Sequence, residues 1–528
     1  MKQWNAFPRC LRISSRIAAY VLGASLCCGA QQTNSQPSTT DAVSMAQAVQ
    51  QLQEQVKELR AAVTEMRAES AQYRAETSEL RHELEAYRSQ PAQPYVAGTA
   101  AAPASASTEP PAASPASANS LEQRIATLED TTQLLNSRVD DQYQTKVATA
   151  SKYRVRLSGI ALLNTFSNRG VTDNQDIPTW ADPPTGFDPK GNFGATLRQS
   201  EIGLEVFGPQ IAGAKTYANI QMDFAGGQPT TNNGSTFGLA RLRIASMRLD
   251  WEHDSIIAGQ DNLFISPLSP TSFASLAIPA LSYAGNLWGW IPEVVVEHRF
   301  DISEGQRITL QGGIIDNLTG EMPYQQFVRF PSAGESSSQP AFATRIAWTR
   351  NLFGHPLTIG AAGYYSRQSY GFDRRVDGWA GMSDLDIPLG SRLVLSGEFY
   401  RSRAAGGLGA GIGRSVLFSG DPLQPTTEIQ PLNSIGGWAQ LKVKAASKLE
   451  FNGAAGVDNP FASDVRMYDS SQNYYGSIVR NRALLANFVY RPKSNLLFSA
   501  EYRHLKTYAI DSGHWNADQI NLMMGVLF

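Results

Sequence analysis

In several segments beyond residue 150, charged side chains stand at every second position and alternate with apolar ones. Arg154 and Arg156 alternate with Val155 and Leu157 in this way. Successive side chains of a strand point to opposite faces, so such a segment has one charged and one apolar face. Charges in rows can pair with one another or attract ions and polar solutes. The pattern indicates electrostatic guidance rather than bond-making chemistry.

Residues suited to catalysis are sparse in the same region. Its five histidines are His253, His298, His355, His504 and His514, and we expect them near turns or on the apolar face. None stands in a motif with a nucleophile, as hydrolysis would require. All three cysteines lie in the first 30 residues. We therefore expect no enzymatic activity, no cofactor and no metal site. A barrel lipase or protease is the enzymatic alternative, which detectable hydrolysis would support.

The formal net charge of −2 gives no general basis for a nucleic-acid partner. Residues 1–30 have the features of an export signal: a basic start, an apolar run over 17–26 and a small-residue cleavage site at 28–30. A membrane anchor and a lipoprotein are the alternatives for this segment. No later stretch has 18 uncharged apolar residues, so we expect no membrane-spanning helix.

A strict seven-residue repeat predicts a coiled coil within 41–89, which we place in the periplasm. The Ala/Pro/Ser-rich segment 90–119 is expected to be an extended linker, and a second, shorter heptad run within 120–145 follows. A single amphipathic helix is the alternative for the first run. The repeat leaves open whether the coiled coil contains two helices or three. The predicted core residues are Val49, Leu52, Val56, Leu59, Val63, Met66, Leu80 and Leu84.

Residues 151–528 alternate in the manner of a transmembrane β-barrel with a wet interior. In the last segment, Ile520, Leu522 and Met524 share one face with the terminal Phe528. Gaps between predicted strands are alternately long and short, as expected for outer loops and periplasmic turns. The sixteen predicted strands are 152–166, 195–207, 214–225, 237–252, 254–262, 288–300, 306–316, 340–350, 356–367, 376–388, 391–402, 434–445, 447–457, 480–491, 495–506 and 517–528.

Five motifs resemble trimeric outer-membrane porins of the DcaP-like group, which is related to phosphate-selective porins. They are LRQSEIGL at 197–204, FGP at 207–209, AKTYANIQMDF at 214–224, LRIA at 242–245 and IAGQ at 257–260. The resemblance implies a sixteen-stranded barrel preceded by a periplasmic coiled coil, a homotrimer, and passive uptake of small, often anionic, solutes. This chain departs from the group at Glu201, where Arg is common.

In such porins the loop after the fifth strand folds into the lumen, and here that segment is 263–287. It has no charged residue, so any selectivity must come from the facing wall; an ordinary surface loop is the alternative. The candidate constriction residues are Phe264, Pro267, Pro270, Phe273 and Tyr283.

Candidate pore-lining residues are the charged ones on the predicted inward face: Arg154, Arg156, Lys215, Glu201, Glu205, Asp223, Glu297, Arg299, Arg307, Arg345, Arg392, Lys442, Lys444, Glu501 and Arg503. Many of them are expected to pair across neighbouring strands. Beyond residue 150, 24 Arg and 8 Lys are balanced by 32 acidic residues, which favours a polar pore over a strictly anionic one. The alternative function is a coiled-coil tether or adhesin with a barrel anchor.

Overall fold

The computed structural model describes residues 146–147, 153–227, 238–321, 329–468, 477–510 and 513–528. The predicted export signal, both coiled-coil segments and the linker lie outside these residues, and they stay predictions. Among the described residues no helix is long and apolar enough to cross a membrane. No group of three or more His, Cys, Asp or Glu that could hold a metal is found in the same part of the chain.

Sixteen antiparallel strands form a closed barrel, as the sequence predicted. They are β1 (Arg154–Arg169), β2 (Gly191–Thr196 and Glu201–Phe207), β3 (Lys215–Asp223), β4 (Arg241–Asp250), β5 (Asp254–Asn262), β6 (Trp290–Ser303), β7 (Gln306–Ile315), β8 (Ala341–Leu352), β9 (His355–Ser369), β10 (Arg375–Pro388), β11 (Leu393–Arg403), β12 (Asn433–Ala446), β13 (Leu449–Pro460), β14 (Ile478–Lys493), β15 (Leu496–Ala509) and β16 (Gly513–Leu527).

The first and last strands close the ring. β1 pairs with β16 from Ile160↔Leu527 to Arg169↔Asp518, and the backbone of Gly159 exchanges two hydrogen bonds with that of Phe528 (2.9 and 3.1 Å). On its other edge β1 pairs with both parts of β2. A two-residue strand, Lys146–Val147, also pairs with β1. Each of the sixteen barrel strands therefore pairs with a neighbour on both sides.

β2 is interrupted, whereas the sequence predicted one strand over 195–207. The chain turns at 197–200, where the Ser200 amide donates to the Leu197 carbonyl (2.9 Å). The Leu162 amide donates to the Ser200 hydroxyl (3.0 Å), which replaces a ladder partner. The other predicted strands differ from the observed ones mainly at their ends.

Apolar side chains cover the outside of the barrel and polar ones cover much of the inside. On β16, Ile520 and Leu522 are 54% and 59% exposed, whereas the intervening Asn521 is fully buried. The same alternation holds on β14 and β15. Connections are short at one end, such as 304–305 and 353–354, and long at the other. This asymmetry matches the predicted one.

A charge on the outer face should be costly when the barrel is in a bilayer. We expect Ile520→Arg to destabilise the protein by about 2–4 kcal/mol, because a cation at mid-strand must leave water for hydrocarbon. Denaturant unfolding in lipid vesicles measures this difference, and Ile520→Leu is the apolar control. Equal stability of the two variants would contradict a lipid-facing outer wall.

Candidate functional site

The loop between β5 and β6 (263–289) lies inside the barrel. Its first part packs against the inner side of β6–β11: Leu263, Phe264 and Ile265 are buried in one cluster with wall residues such as Tyr364. Farther along, Leu281 is buried with residues of β12–β16. The loop therefore contacts opposite sides of the wall. We call it the inner loop.

Gln199 holds the inner loop from the break in β2. Its amide oxygen accepts hydrogen bonds from the backbone of Leu276 (2.9 Å) and Ala277 (3.3 Å). Its amide nitrogen donates to the Ala274 carbonyl (3.1 Å). Gln199 is fully buried, so these bonds satisfy a side chain that has no access to water.

Two wall residues on β11 and β12 anchor the other end of the loop. The Glu398 carboxylate accepts from the Ser266 hydroxyl (2.6 Å) and from the Leu268 amide (2.9 Å). The Gln440 side-chain oxygen accepts from the Thr271 amide (2.6 Å). Polar backbone groups of an uncharged loop are thus matched by wall side chains from several strands.

Glu501 and Arg503 face inward on β15, but they lie beneath loops rather than in open space. Arg503 donates to Glu501 (2.7 Å), to the Ser275 hydroxyl and to the Pro178 carbonyl (3.1 Å). The Arg503 side chain is 4% exposed and the Glu501 side chain 0%. The pair therefore links the wall to the inner loop and to the loop 170–190, a different position from the pore-lining one predicted for them.

The five predicted constriction residues lie in different surroundings. Phe264 and Pro270 are buried, Pro267 is exposed, and Phe273 packs beside a cluster of β1 and β16 residues. Tyr283 makes edge contacts with Trp180 and Trp288, at centroid distances of 5.6 and 6.2 Å. Most of these side chains therefore pack the loop in place.

A network of charged and amide groups runs along the inner wall from β4 to β10. Glu297 accepts from Arg299 (2.6 Å) and from Gln311 (2.9 Å). Gln311 in turn accepts from Arg345 (3.2 Å), which forms two bonds with Asp384 (3.0 and 2.7 Å). Of the predicted pore-lining residues, the network joins Glu297, Arg299 and Arg345.

A second charged cluster lies at the β2–β4 wall. Arg241 forms two bonds with the buried Asp223 (3.1 and 2.6 Å), and Arg243 pairs with Glu201. Both guanidinium groups lie over the ring of Trp290, 4.9 and 4.6 Å from its centroid. Arg241 and Arg243 were not among the predicted residues.

The irregular register of β4 explains why these arginines escaped prediction. Gln221 pairs with Ile244 while the next residue, Met222, pairs with Leu242, so one extra residue is inserted in β4. Such a bulge changes which parity points inward. Strict alternation over the whole strand therefore cannot assign Arg241 and Arg248 to the same face.

Seven of the remaining predicted pore-lining residues are cations, of which two pair with a carboxylate and five do not. Arg156 pairs with Glu205, and the exposed Arg307 pairs with Asp301 (2.7 Å), an arrangement that contributes little stability. The others face inward or lie beside the short turns and have no carboxylate partner within 4 Å among the described residues: Arg154, Lys215, Arg392, Lys442 and Lys444.

Four cations surround a cavity of about 430 Å³ at the short-turn end of β11–β14. Arg392, Lys444, Lys448 and Arg491 line it, with Glu450 as the acidic residue among its lining. Positive charge outweighs negative charge here, in contrast to the paired network above it.

The loop 170–190 adds a half-buried carboxylate, Asp173, outside the strands. Asp173 accepts from the Thr179 amide (2.8 Å) and hydroxyl (2.7 Å) and from the Trp180 amide (3.0 Å). Burial raises the pKa of Asp173 to about 6, although these bonds oppose the rise. The turn it stabilises presents the Thr179 carbonyl to Asn481 of β14 (2.9 Å).

We expect Gln199→Ala to loosen the inner loop locally. The backbone amides of Leu276 and Ala277 lose their acceptor, and a lost buried hydrogen bond costs roughly 1–3 kcal/mol. Hydrogen exchange at these two amides, followed by mass spectrometry, should accelerate about tenfold or more. Gln221→Ala on β3 is the matched control, and equal exchange in both variants would contradict the anchoring role.

No family model and no curated protein sequence matches the chain. Its fold is similar to that of the outer membrane channel DcaP of Acinetobacter baumannii, with a TM-score of 0.55 and 16% identity over 73% of this chain and 100% of that one. The resemblance stated from the sequence is therefore confirmed for the fold.

Two further solved structures are more distant. The anion-selective porin from Comamonas acidovorans has a TM-score of 0.42 and 11% identity, covering 71% of this chain and 100% of that one. OmpF of Salmonella typhi has a TM-score of 0.44 and 12% identity, covering 72% and 99%.

Proposed function

We propose that the chain forms a water-filled channel in the outer membrane for passive diffusion of small polar solutes, including anions. The observation that carries this proposal is the closed barrel with an apolar outer face, a charged inner wall and an uncharged loop anchored across its interior. A sheet closed in this way satisfies its backbone within a bilayer. The wall then provides the polar surface past which a solute moves.

The orientation and assembly follow from the same proposal. Short turns of such barrels face the periplasm and long loops face outward, so the predicted coiled coil would lie on the periplasmic side. The DcaP-like resemblance supports a homotrimer in outer-membrane lipid. No catalytic step is required of any residue.

Charge preference in this proposal comes from the cations that lack acidic partners. The network of Glu297, Arg299 and Arg345 is internally neutralised. In contrast, Arg392, Lys442 and Lys444 lie near the periplasmic mouth without a carboxylate within 4 Å among the described residues, and they outnumber Asp386 and Glu450, the acidic groups near them. Their field should raise the local concentration of small anions.

The tether or adhesin alternative depends on the coiled coil, which lies outside the described residues. A protein that lacks 31–145 distinguishes the two functions. We expect its barrel to conduct as the full chain does, because the ring closes within 154–527. Loss of all conductance, measured in planar bilayers, would contradict a self-sufficient channel.

The channel itself is tested by single-channel recording of the purified full chain. We expect discrete conductance steps at both polarities, because a closed barrel with a polar inner wall admits water and ions. Absence of steps at every voltage would overturn the proposal. Detectable hydrolysis of lipid or peptide by the same preparation would instead favour an enzyme.

We further expect the triple variant Arg392→Gln, Lys442→Gln and Lys444→Gln to lose anion preference. The reversal potential in a salt gradient should shift toward the value of a cation-selective channel, because the variant lacks three positive charges at the mouth. A matched control removes three outward cations, by Arg350→Gln, Arg367→Gln and Arg375→Gln. Equal shifts in both triple variants would show that the mouth does not set selectivity.

A further inference from the structure

The outer wall contains an apolar groove across β11, β12 and β13. Four small side chains lie beside one another there: Gly397 pairs with Ala439, Ala439 pairs with Ala455, and Gly437 lies one register row away. Larger outward residues surround this depression, among them Leu385, Phe399, Ile435 and Val457, and the cavity measures about 850 Å³. Its shape and apolar lining fit a hydrocarbon chain.

Two arginines close the long-loop end of the groove. Arg480 and Arg482 of β14 line the same cavity, and both point outward by the alternation of that strand. Lys506 of β15 is the direct register partner of Arg482. The three cations converge on the ring of Tyr508, with centroid distances of 5.6, 5.5 and 5.4 Å.

This cation group has no carboxylate partner within 4 Å among the described residues. The outward Asp518 nearby is occupied by His504 (2.8 Å) and by the Tyr502 hydroxyl (2.7 Å). Like charges directly opposite one another on paired strands are destabilising. Arg482 and Lys506 are such a pair, so an anion that binds both of them would relieve their repulsion.

We propose that this groove binds an anionic lipid, with an acyl chain along Gly397, Ala439 and Ala455 and a phosphate held by Arg480, Arg482 and Lys506. The inference rests on the outer-membrane placement proposed above. That placement puts the cations at the level of the outer headgroups and the groove at the level of the hydrocarbon. Cationic side chains near a membrane surface attract anionic headgroups in this manner.

Charge favours a lipid over a second copy of the chain. At the same end of β9–β11 the outward residues include four arginines, Arg367, Arg375, Arg401 and Arg403, against one carboxylate, Asp377, which pairs with Arg367. Another copy docked through this face would thus add cations beside Arg482 and Lys506. A phosphate combined with an apolar chain complements both the cation group and the groove.

The test uses the delipidated full chain in a non-denaturing detergent, titrated with synthetic diphosphoryl lipid A and followed by native mass spectrometry. We expect Arg482→Gln combined with Lys506→Gln to weaken lipid binding about 30-fold, since each cation near the surface contributes about a fivefold factor. The control, Arg367→Gln combined with Arg375→Gln, removes two outward cations away from the groove and should bind as the unmodified chain does.

Ala455→Phe fills the groove without changing charge, and it should also weaken lipid binding. Equal binding of the charge variant and its control would overturn the proposal, as would equal binding of lipid A without phosphates. If inorganic phosphate displaces the lipid and binds the Ala455→Phe variant as well as the unmodified chain, the cations form a site for free phosphate instead. A changed subunit number in either groove variant would assign the groove to a second copy.

Channel recording separates this inference from the proposed function. The groove residues point away from the lumen, so conductance should be unchanged in every groove variant. If the groove variants conduct normally and also bind lipid as the unmodified chain does, only the lipid-site proposal is contradicted. Failure of the unmodified chain to conduct would remove the channel, whatever the lipid result.

Discussion

The closure of the backbone ladder is the constraint on which the rest of the structure depends. Hydrocarbon offers no partners for peptide groups, so a sheet in a bilayer must pair its first strand with its last. Here β1 pairs with β16 along Ile160–Arg169, and Phe528 completes the ladder through Gly159. Once the ring is closed, the two-residue period of each strand assigns every side chain to lipid or to the interior.

The interior must then be filled without leaving polar groups unpaired. An uncharged loop that enters it exposes backbone amides and carbonyls, which need partners there. Glu398 and Gln440 supply these partners from β11 and β12, and Gln199 supplies them from the break in β2. The terminal guanidinium nitrogens of the buried Arg503 are likewise matched by Glu501, the Ser275 hydroxyl and the Pro178 carbonyl, because a desolvated charge is costly without partners. Packing and pairing together fix the loop's position.

Because side chains alternate along a strand with a period of two residues, the sequence predicted most of the inward-facing wall residues, including those of β1, β15 and β16. This alternation cannot be carried through a whole strand where the period itself changes. Phe193 points outward at an odd position and Glu201 points inward at another, because the turn at 197–200 shifts the phase of β2. The bulge in β4 does the same for Arg241 and Arg248. Neither irregularity follows from side-chain type, since both depend on the register of neighbouring strands.

Glu201 shows that the charge of a single residue does not give the local net charge of the wall once that residue is paired. Arg243 reaches the Glu201 carboxylate from β4 and stacks on Trp290. A guanidinium group is therefore present, but it is neutralised. Inside the barrel, arginines meet carboxylates across strands, whereas outside, Arg480, Arg482 and Lys506 do not. Because the inner network balances itself, the charge left to act on ions and lipids lies at the barrel's ends.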